Sequence, residues 1–338
     1  MNEDHSLRWG ILGAARVTER LLPAFALAKH AKLVGIASRR KDAASEALKR
    51  LAPSLEGVET YDRLESLLYR EDVDALYIPL SNAEHAEWTL KAIEQGKHVL
   101  CEKPMALRVN DIEAITEAAR AKGVKVMEGF MYRFHPQHLR SLALLDSGLI
   151  GDIRSVRTSF SFMMKPARQY RIASSIENGG GALWDIGCYA IHTARMWFKT
   201  APLSIFSTMN YIESGADTSG CGIIDYGHGL RASFEYAFDT TRRSEYHITG
   251  TLGTLTCPTV WQLPGDRPKL LWQTEDGRSG EELLTPQDHF QIEIDEFSKA
   301  ILLDEEPLIS LEDALENCRL LNAAIDSARS GKKVYLSN

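Results

Sequence analysis

The first 128 residues alternate short apolar runs with amphipathic helical segments, and this alternation restricts the folds open to the chain. Six of the runs are predicted strands, at residues 8–12, 33–38, 58–61, 75–80, 98–101 and 125–128. Strands joined by helices are typical of right-handed crossovers, and nearly continuous apolar strands are typical of a sheet covered on both faces. The pattern predicts a doubly wound parallel sheet of the α/β class.

The pattern changes after Glu128. Strands of alternating character are predicted near residues 153–163, 205–211, 221–226, 230–238 and 245–249, and helices at 288–302 and 311–329. This order of elements is typical of an α+β unit with a mainly antiparallel, open sheet. We therefore predict two domains, residues 1–128 and residues 129–338, with the boundary near 128–133.

Composition argues against several classes of function. The 39 Lys and Arg residues face 46 Asp and Glu residues, and a net charge of -7 provides no positive field for nucleic acid or an anionic membrane. The five cysteines are widely spaced, which fits a reducing compartment better than a disulfide framework. No apolar run approaches the length of a signal sequence or a membrane span. We expect a cytoplasmic protein without nucleic-acid or membrane partners.

The turn between the first predicted strand and the first helix is a candidate dinucleotide site. Gly13 takes the first position of the glycine fingerprint, whereas Ala15 and Thr18 stand where glycine and glycine or alanine are usual. At such a turn the main chain approaches a pyrophosphate at a helix N-terminus. A tight turn without a ligand is the alternative, but the βαβ context favours a dinucleotide. We assign Gly13, Ala15, Arg16 and Val17 to cofactor binding.

The residue that ends the second strand predicts which dinucleotide binds. A carboxylate there would bond the adenosine 2′-hydroxyl of NAD and repel the 2′-phosphate of NADP. Here the residue is Ser38, followed by Arg39 and Arg40, and guanidinium groups bind phosphate through paired, charge-assisted bonds. A solvated helix start with Asp42 nearby is the alternative. We predict NADP, and consider NAD less suitable.

Two loops at the carboxyl ends of predicted strands hold the first catalytic candidates. Leu80, Asn82 and His85 follow the fourth strand, and Glu102 and Lys103 follow the fifth. Ligands of open parallel sheets bind at these ends, so we assign all five residues to the cofactor side. A partly desolvated lysine beside an oxidised nicotinamide has its pKa lowered toward the range useful for proton transfer. Lys103 is therefore a catalytic candidate, with an exposed loop charge as the alternative.

A second group of candidates follows three glycines at residues 179–181. Glycines permit a close approach of the main chain. If residues 182–198 are helical, Asp185, Tyr189 and His192 share one face of that helix. A buried hydrogen-bonded network is the alternative, with His192 as a core histidine. We expect no metal, because no third clustered ligand is evident.

Together these motifs resemble one enzyme family. The Glu-Lys-Pro run at 102–104, the glycine turn, residues 129–136 and the Asp-x-Gly-x-Tyr run at 185–189 resemble the glucose-fructose oxidoreductase, inositol dehydrogenase and rhizopine-catabolism (Gfo/Idh/MocA) family. The resemblance spans nearly the whole chain. It implies an NADP-binding Rossmann domain, residues 1–128, and a domain for substrate binding and oligomerisation, residues 129–338.

Within that family the sequence is most similar to the NADP-dependent aldose 1-dehydrogenases and the dimeric dihydrodiol dehydrogenases. Other members carry histidine in the place of Tyr189. The resemblance implies hydride transfer between a sugar, such as the C1 hydroxyl of xylose or glucose, and the nicotinamide. Tyr189 would accept the proton, Lys103 would favour its ionised form, and Asp185 would fix the substrate or the lysine. The resemblance also implies a cis Lys103–Pro104 bond.

Further substrate contacts are expected at Arg133, Tyr170, Trp184 and His192, with the active site in the cleft between the two domains. Three alternatives remain open. The first is a reductase of keto-sugars, and the second is an enzyme that cycles between two sugars without releasing NADP. The third is a non-catalytic NADP-sensing regulator, against which the presence of both Lys103 and Tyr189 argues.

Large residues alternate along one predicted strand of the second domain. Phe234, Tyr236 and Phe238 would lie on one sheet face, and such a face needs cover. A second copy of the chain is one source of cover, which predicts a homo-oligomer, a dimer or a tetramer, formed through the C-terminal sheet. The alternative is that these rings pack against helices of their own chain.

Overall fold

The computed structural model describes residues 6–261 and 267–336. The chain divides into two compact units, one of residues 1–134 and 288–315 and one of residues 135–287 and 316–338. The first unit is built on six parallel strands, β1 (Leu7–Leu12), β2 (Ala31–Ala37), β3 (Glu59–Tyr61), β4 (Ala75–Ile78), β5 (His98–Glu102) and β6 (Val126–Gly129). Its sheet has the order β3-β2-β1-β4-β5-β6, as a doubly wound sheet requires.

Helices connect these strands, namely α1 (Thr18–Leu27), α2 (Ala43–Leu51), α3 (Leu64–Leu68), α4 (His85–Glu94) and α5 (Val109–Lys122). The order reverses between β1 and β4, and ligands bind beyond the carboxyl ends of the strands near such a switch point. All six predicted strands exist within a few residues of their expected bounds. The structure confirms the predicted parallel α/β sheet.

The second unit begins with α6 (Pro136–Asp146) and contains α7 (Cys188–Arg195). Its nine-stranded sheet is formed by β7 (Ile153–Ser161), β8 (Ser204–Tyr211), β9 (Asp217–Gly227), β10 (Leu230–Ala237), β11 (Arg243–Gly250), β12 (Gly253–Cys257), β13 (Lys269–Thr274), β14 (Ser279–Leu283) and β15 (Val334–Tyr335). The pair β7 and β10 is parallel, whereas the other neighbouring strands pair antiparallel. The mainly antiparallel α+β fold predicted for this half is confirmed.

The chain returns to the first unit near its end. Helix α8 (His289–Leu302) packs there because Phe297 meets the ring of Trp9, with ring centroids 5.9 Å apart. The Trp9 indole also donates a 3.0 Å hydrogen bond to Ser298. The sequence prediction placed all residues after 128 in the second domain, whereas the structure groups residues 288–315 with the first unit. Sequence order could not show this, since the contact joins residues almost three hundred positions apart.

Helix α9 (Leu311–Ser330) begins in the first unit and continues in the second. In the second unit it packs against β8, where the Ser207 hydroxyl donates to the Ala324 carbonyl at 2.5 Å. In the described part of the chain, none of the helices is both long and apolar enough to cross a membrane.

The aromatic residues of β10, and Phe238 directly after it, lie inside the second unit. Phe234, Tyr236 and Phe238 are buried, and a Cβ added to Gly187, next to α7, would lie 2.9 Å from the Tyr236 ring. The prediction that these three rings form an interface between copies is therefore wrong, and the alternative that they pack against the chain's own helices is correct. The physical reason is that β10 lies at the centre of the sheet, directly beside the helical segment of residues 183–195.

Candidate active site

The turn after β1 has the shape that a pyrophosphate site requires. Gly13 has φ +139°, a conformation that residues with a side chain rarely adopt. A Cβ at this position would lie 3.1 Å from Leu80 Cδ2, so the main chain also passes close to the loop after β4. At the start of α1 no side chain of the described residues caps the helix at Val17. The amides of Thr18, Glu19 and Arg20 donate to the carbonyl groups of the preceding turn, those of Ala15, Arg16 and Val17. The turn therefore leads directly into α1, and the N-terminal end of a helix favours an anion.

The end of β2 has no carboxylate. Ser38 is buried there, and its hydroxyl accepts the Arg40 amide at 3.2 Å. The Arg40 guanidinium donates to the Ala14 carbonyl and so joins the end of β2 to the turn after β1. Arg39 is 58% exposed and forms a salt bridge with Glu84. The sequence did not single out Glu84, although it lies one residue before His85.

The loop after β4 is fixed from inside the first unit. Leu80 precedes a short 3₁₀ helix, Asn82–Glu84, which leads into α4. His85, the first residue of α4, is only 1% exposed. Its Nδ1 lies 2.7 Å from the Pro104 carbonyl oxygen and its Nε2 lies 3.0 Å from the Leu80 carbonyl oxygen. Burial lowers the pKa of His85 to about 4, so the ring is neutral at neutral pH.

Lys103 lies in a loop that is held on both sides. Before it, the Tyr77 hydroxyl donates to Glu102 Oε1 at 2.8 Å. After it, the Met105 amide donates to the buried Glu128 Oε1, also at 2.8 Å. The Lys103–Pro104 bond is cis, as the family resemblance implies. Arg133 lies in a short 3₁₀ helix, Met131–Phe134, which follows β6 at the end of this stretch of the first unit.

The segment that holds Asp185 and Tyr189 is helical, but its first turn is wider than we predicted. Leu183–Gly187 is a π-helix, and α7 starts directly after it at Cys188. The predicted helix over 182–198 is therefore corrected in two respects: its first turn is a π-helix, and α7 ends at Arg195. Single π-turns inside helices frequently occur at functional sites.

The glycines before this helix serve the packing of the second unit. A Cβ at Gly180 would lie 1.9 Å from the Ser174 carbonyl oxygen, and a Cβ at Gly181 would lie 2.0 Å from Asp217 Oδ1. Asp217 is fully buried, and its Oδ2 accepts the Leu183 amide at 2.9 Å. Burial raises the pKa of Asp217 to about 7. Asp217 caps the helical segment from 34 positions away, and the sequence did not indicate it.

Asp185 forms an ion pair with Arg171. Burial lowers the pKa of the Arg171 guanidinium, but the Asp185 carboxylate and the neighbouring Tyr170 and Tyr189 raise it, and the net shift is upward. Because the Arg171 carbonyl also accepts the Gly181 amide at 2.8 Å, the segment 166–172 is tied to the helix at two points. Tyr170 itself is exposed.

Tyr189 lies among aromatic rings and is 6% exposed. Its ring meets Phe160 edge-on with centroids 5.7 Å apart, and meets Trp261 at 6.2 Å. Phe160 and Trp261 stack on each other at 4.5 Å. These rings leave the Tyr189 side chain little contact with water.

Two further candidates are buried. The Trp184 indole donates to the Ile176 carbonyl at 2.7 Å, so this ring is engaged in the core of the second unit. His192 is also buried. The second unit thus brings together Tyr170, Arg171, Asp185 and Tyr189. No group of three His, Cys, Asp or Glu side chains within residues 6–261 and 267–336 is arranged to hold a metal.

Comparisons with known proteins identify the family. The model of the "Oxidoreductase family, NAD-binding Rossmann fold" matches residues 7–130. The model of the "GFO/IDH/MocA C-terminal domain" matches residues 138–256. The two matches include the candidate residues of both units except Arg133.

Full-length relatives act on sugars. The D-xylose 1-dehydrogenase (NADP(+)) 2 of Haloferax volcanii is 33% identical over 333 residues, which is 98% of this chain and 100% of that one. The dTDP-3,4-didehydro-2,6-dideoxy-alpha-D-glucose 3-reductase of Actinomadura kijaniata is 33% identical over 326 residues, 96% of each chain.

Solved structures of oxidoreductases are similar to this chain over nearly its whole length. A 3-ketoreductase from Actinomadura kijaniata, in complex with NADP and TDP-benzene, matches with a TM-score of 0.87 and 32% identity over 96% of this chain and 98% of that one. An aldose-aldose oxidoreductase from Caulobacter crescentus, complexed with glycerol, matches with a TM-score of 0.86 and 26% identity over 98% of this chain and 100% of that one. These matches confirm the predicted family, and the chain belongs to the GFO/IDH/MocA oxidoreductases.

Proposed function

We propose that this chain is an NADP-dependent dehydrogenase that oxidises the C1 hydroxyl of an aldose such as xylose or glucose. The observation that supports NADP as the cofactor is the end of β2. There the buried Ser38 and the guanidinium groups of Arg39 and Arg40 stand in place of a carboxylate. This arrangement suits a 2′-phosphate and would not repel it. A relative of full length that is named for NADP, the D-xylose 1-dehydrogenase of Haloferax volcanii, supports the same choice.

The first unit offers residues that fit each part of this cofactor. Gly13 and the uncapped start of α1 at Ala15, Arg16 and Val17 suit the pyrophosphate. Leu80 and Asn82 follow β4, and Glu102 is the last residue of β5, so all three lie at the carboxyl ends of these strands, which suit the nicotinamide half. When bound, NADP supplies the carbon that accepts the hydride.

We propose that Tyr189 takes the proton from the sugar hydroxyl as the hydride leaves the carbon that bears this hydroxyl, so that a C=O bond forms. Its aromatic surroundings exclude water, so the proton stays between the phenol and the substrate oxygen. A cation favours the ionised form of a phenol, and we assign this role to Lys103. Asp185, held by Arg171, positions the substrate, and Arg133, Tyr170, Trp184 and His192 complete the proposed substrate residues.

A second candidate function is the reverse reaction, reduction of a keto-sugar with NADPH. It is favoured by the similarity to the dTDP-sugar 3-reductase over 96% of both chains. The same residues serve both directions, because Tyr189 then donates its proton to the forming alkoxide. A related variant retains NADP and cycles between two sugars, as the likeness to an aldose-aldose oxidoreductase suggests.

One substrate screen separates these functions. Purified protein is assayed with NADP and a panel of aldoses, and with NADPH and free or nucleotide-linked keto-sugars. Turnover of an aldose with NADP supports the dehydrogenase, whereas turnover of keto-sugars alone contradicts it and supports the reductase. Nicotinamide absorbance in the purified protein supports the retained cofactor. NADP binding without turnover in any arm contradicts an enzyme and supports a regulator.

We also propose a homo-oligomer, a dimer or a tetramer, that forms through the C-terminal sheet in the cytoplasm. The side chains that support it are Phe206 and Ile223, which are exposed on the neighbouring strands β8 and β9. Apolar side chains on an open sheet face favour cover by a second copy. Light scattering on the purified chain and on an Ile223→Glu variant checks this, and a monomeric parent would contradict it.

A further inference from the structure

His85 occupies an unusual position in the first unit. Its ring is buried, and both of its nitrogens lie within 3.0 Å of main-chain carbonyl oxygens, those of Pro104 and Leu80. A ring engaged on both sides has no polar atom left for a ligand. The sequence suggests that His85 contacts the cofactor directly, whereas in the structure its ring nitrogens contact main-chain carbonyl groups.

The two carbonyl groups belong to the two loops that matter most for the proposed reaction. Pro104 directly follows Lys103, the proposed partner of Tyr189. Leu80 packs toward the nucleotide turn, because a Cβ at Gly13 would lie 3.1 Å from Leu80 Cδ2. One buried ring thus connects the lysine loop after β5 to the loop that lies against the glycine turn.

A neutral imidazole carries a single N–H, so only one of the two carbonyl groups receives a hydrogen bond. We assign the N–H to Nδ1, because its 2.7 Å contact with the Pro104 oxygen is shorter than the 3.0 Å contact of Nε2 with the Leu80 oxygen. Two other hydrogen bonds hold this loop, one from Tyr77 to Glu102 and one from the Met105 amide to Glu128. The hydrogen bond from His85 holds the loop between these two points, at the carbonyl group of Pro104.

We propose that His85 is a positioning residue for Lys103, which it fixes by donating an Nδ1–H hydrogen bond to the Pro104 carbonyl. This inference rests on the proposed function, in which Lys103 acts on the substrate oxygen. A reacting group that moves by 1 Å loses about a hundredfold in rate, so a single lost anchor has a measurable effect.

Two substitutions separate the two sides of the ring. Asparagine places its amide nitrogen near the position of Nδ1, and glutamine places its amide nitrogen near the position of Nε2. His85→Asn therefore retains the bond to Pro104, whereas His85→Gln retains only the contact with Leu80. We expect His85→Gln to lower kcat about a hundredfold. His85→Asn, although smaller, should retain most of the parental kcat, and both variants should bind NADPH nearly as tightly as the parent.

Hydrogen exchange of the peptide that spans residues 101–106 provides a readout that needs no substrate. His85→Gln should speed exchange of the Met105 amide, and His85→Asn should leave it near the parental rate. The inference is overturned if both variants lose kcat and exchange protection equally, or if His85→Gln loses neither. Absence of turnover in the parent counts against the proposed function instead, and the exchange comparison still decides the role of His85.

Discussion

Glu84 holds the guanidinium of Arg39 through two contacts, one of 2.5 Å between Oε1 and Nη1 and one of 3.0 Å between Oε2 and Nη2. The Ser81 hydroxyl donates to the same carboxylate at 2.6 Å. The pair therefore ties the end of β2 to the loop after β4. Glu84 thus orients the guanidinium of Arg39. Because Arg39 remains more than half exposed, this guanidinium is still accessible to a phosphate.

Replacement of Arg39 by alanine should weaken NADPH binding and leave NADH binding nearly unchanged. A hydrogen bond to a charged group contributes about 1.5–3 kcal/mol, which corresponds to a loss of affinity of roughly ten- to a hundredfold. Fluorescence titration with both dinucleotides measures the effect. Arg50→Ala, on the exposed side of α2 beside Glu19, is the matched control. Equal affinity of parent and Arg39→Ala for NADPH would rule out the assignment.

Lys103→Met and Tyr189→Phe should each lower kcat by about 10² to 10⁴, the usual contribution of a positioned acid or base. NADPH affinity should remain close to that of the parent, because neither change touches the glycine turn. Steady-state kinetics on the substrate found in the screen gives kcat, and titration gives the dissociation constant. Lys91→Met and Tyr69→Phe, which change exposed residues, serve as controls. Loss of NADPH binding along with kcat would point to a structural role.

The elements that position the site were predictable wherever local sequence determines them. The buried strands β1, β4 and β5 are largely continuous apolar runs. Because strands and helices alternate along the first unit, few sheet topologies are possible. The turn at Gly13 was predictable because its φ of +139° is open mainly to glycine. The strands β12, β13 and β14 were missed, since they are short and β14 is largely polar.

The remaining features depend on contacts between distant residues. Arg171 meets Asp185 across 14 positions, and Asp217 caps Leu183 across 34 positions. Neither pairing leaves a periodic pattern in the sequence. The sequence predicts a close approach of the main chain at glycines 179–181, but only the structure identifies Ser174 and Asp217 as the groups that approach Gly180 and Gly181.

Asp217 should make stability depend on pH. Its pKa is about 7 in the folded chain and near 3.8 when unfolded, so the folded state binds the proton more tightly. The stabilisation that this proton gives the folded state is fully present below the pKa of the unfolded state. It is lost as pH rises to about 7, by up to about 1.4 kcal/mol of unfolding free energy per pH unit. Asp217→Asn does not titrate, and its amide oxygen still accepts the Leu183 amide.

Urea unfolding at several pH values between about 4 and 8 tests this linkage. The difference in unfolding free energy, parent minus Asp217→Asn, should fall as pH rises through this range and become constant above about 7. Subtraction of the variant cancels the other titrating groups that the two proteins share. A difference that is independent of pH would show that the Asp217 carboxyl titrates alike in both states.

Gly181→Ala should destabilise the second unit and lower kcat together. Alanine at φ +106° costs about 1–3 kcal/mol, and its Cβ would in addition lie 2.0 Å from Asp217 Oδ1. Displacement of that carboxylate removes the cap on Leu183, at the start of the segment that carries Asp185 and Tyr189. Thermal unfolding and kcat are measured beside Gly277→Ala, a change at φ +88° with no described atom within 4 Å of the new Cβ. The control carries the backbone cost alone, so equal losses of melting temperature and kcat in the two variants would contradict a role for the contact between Gly181 and Asp217.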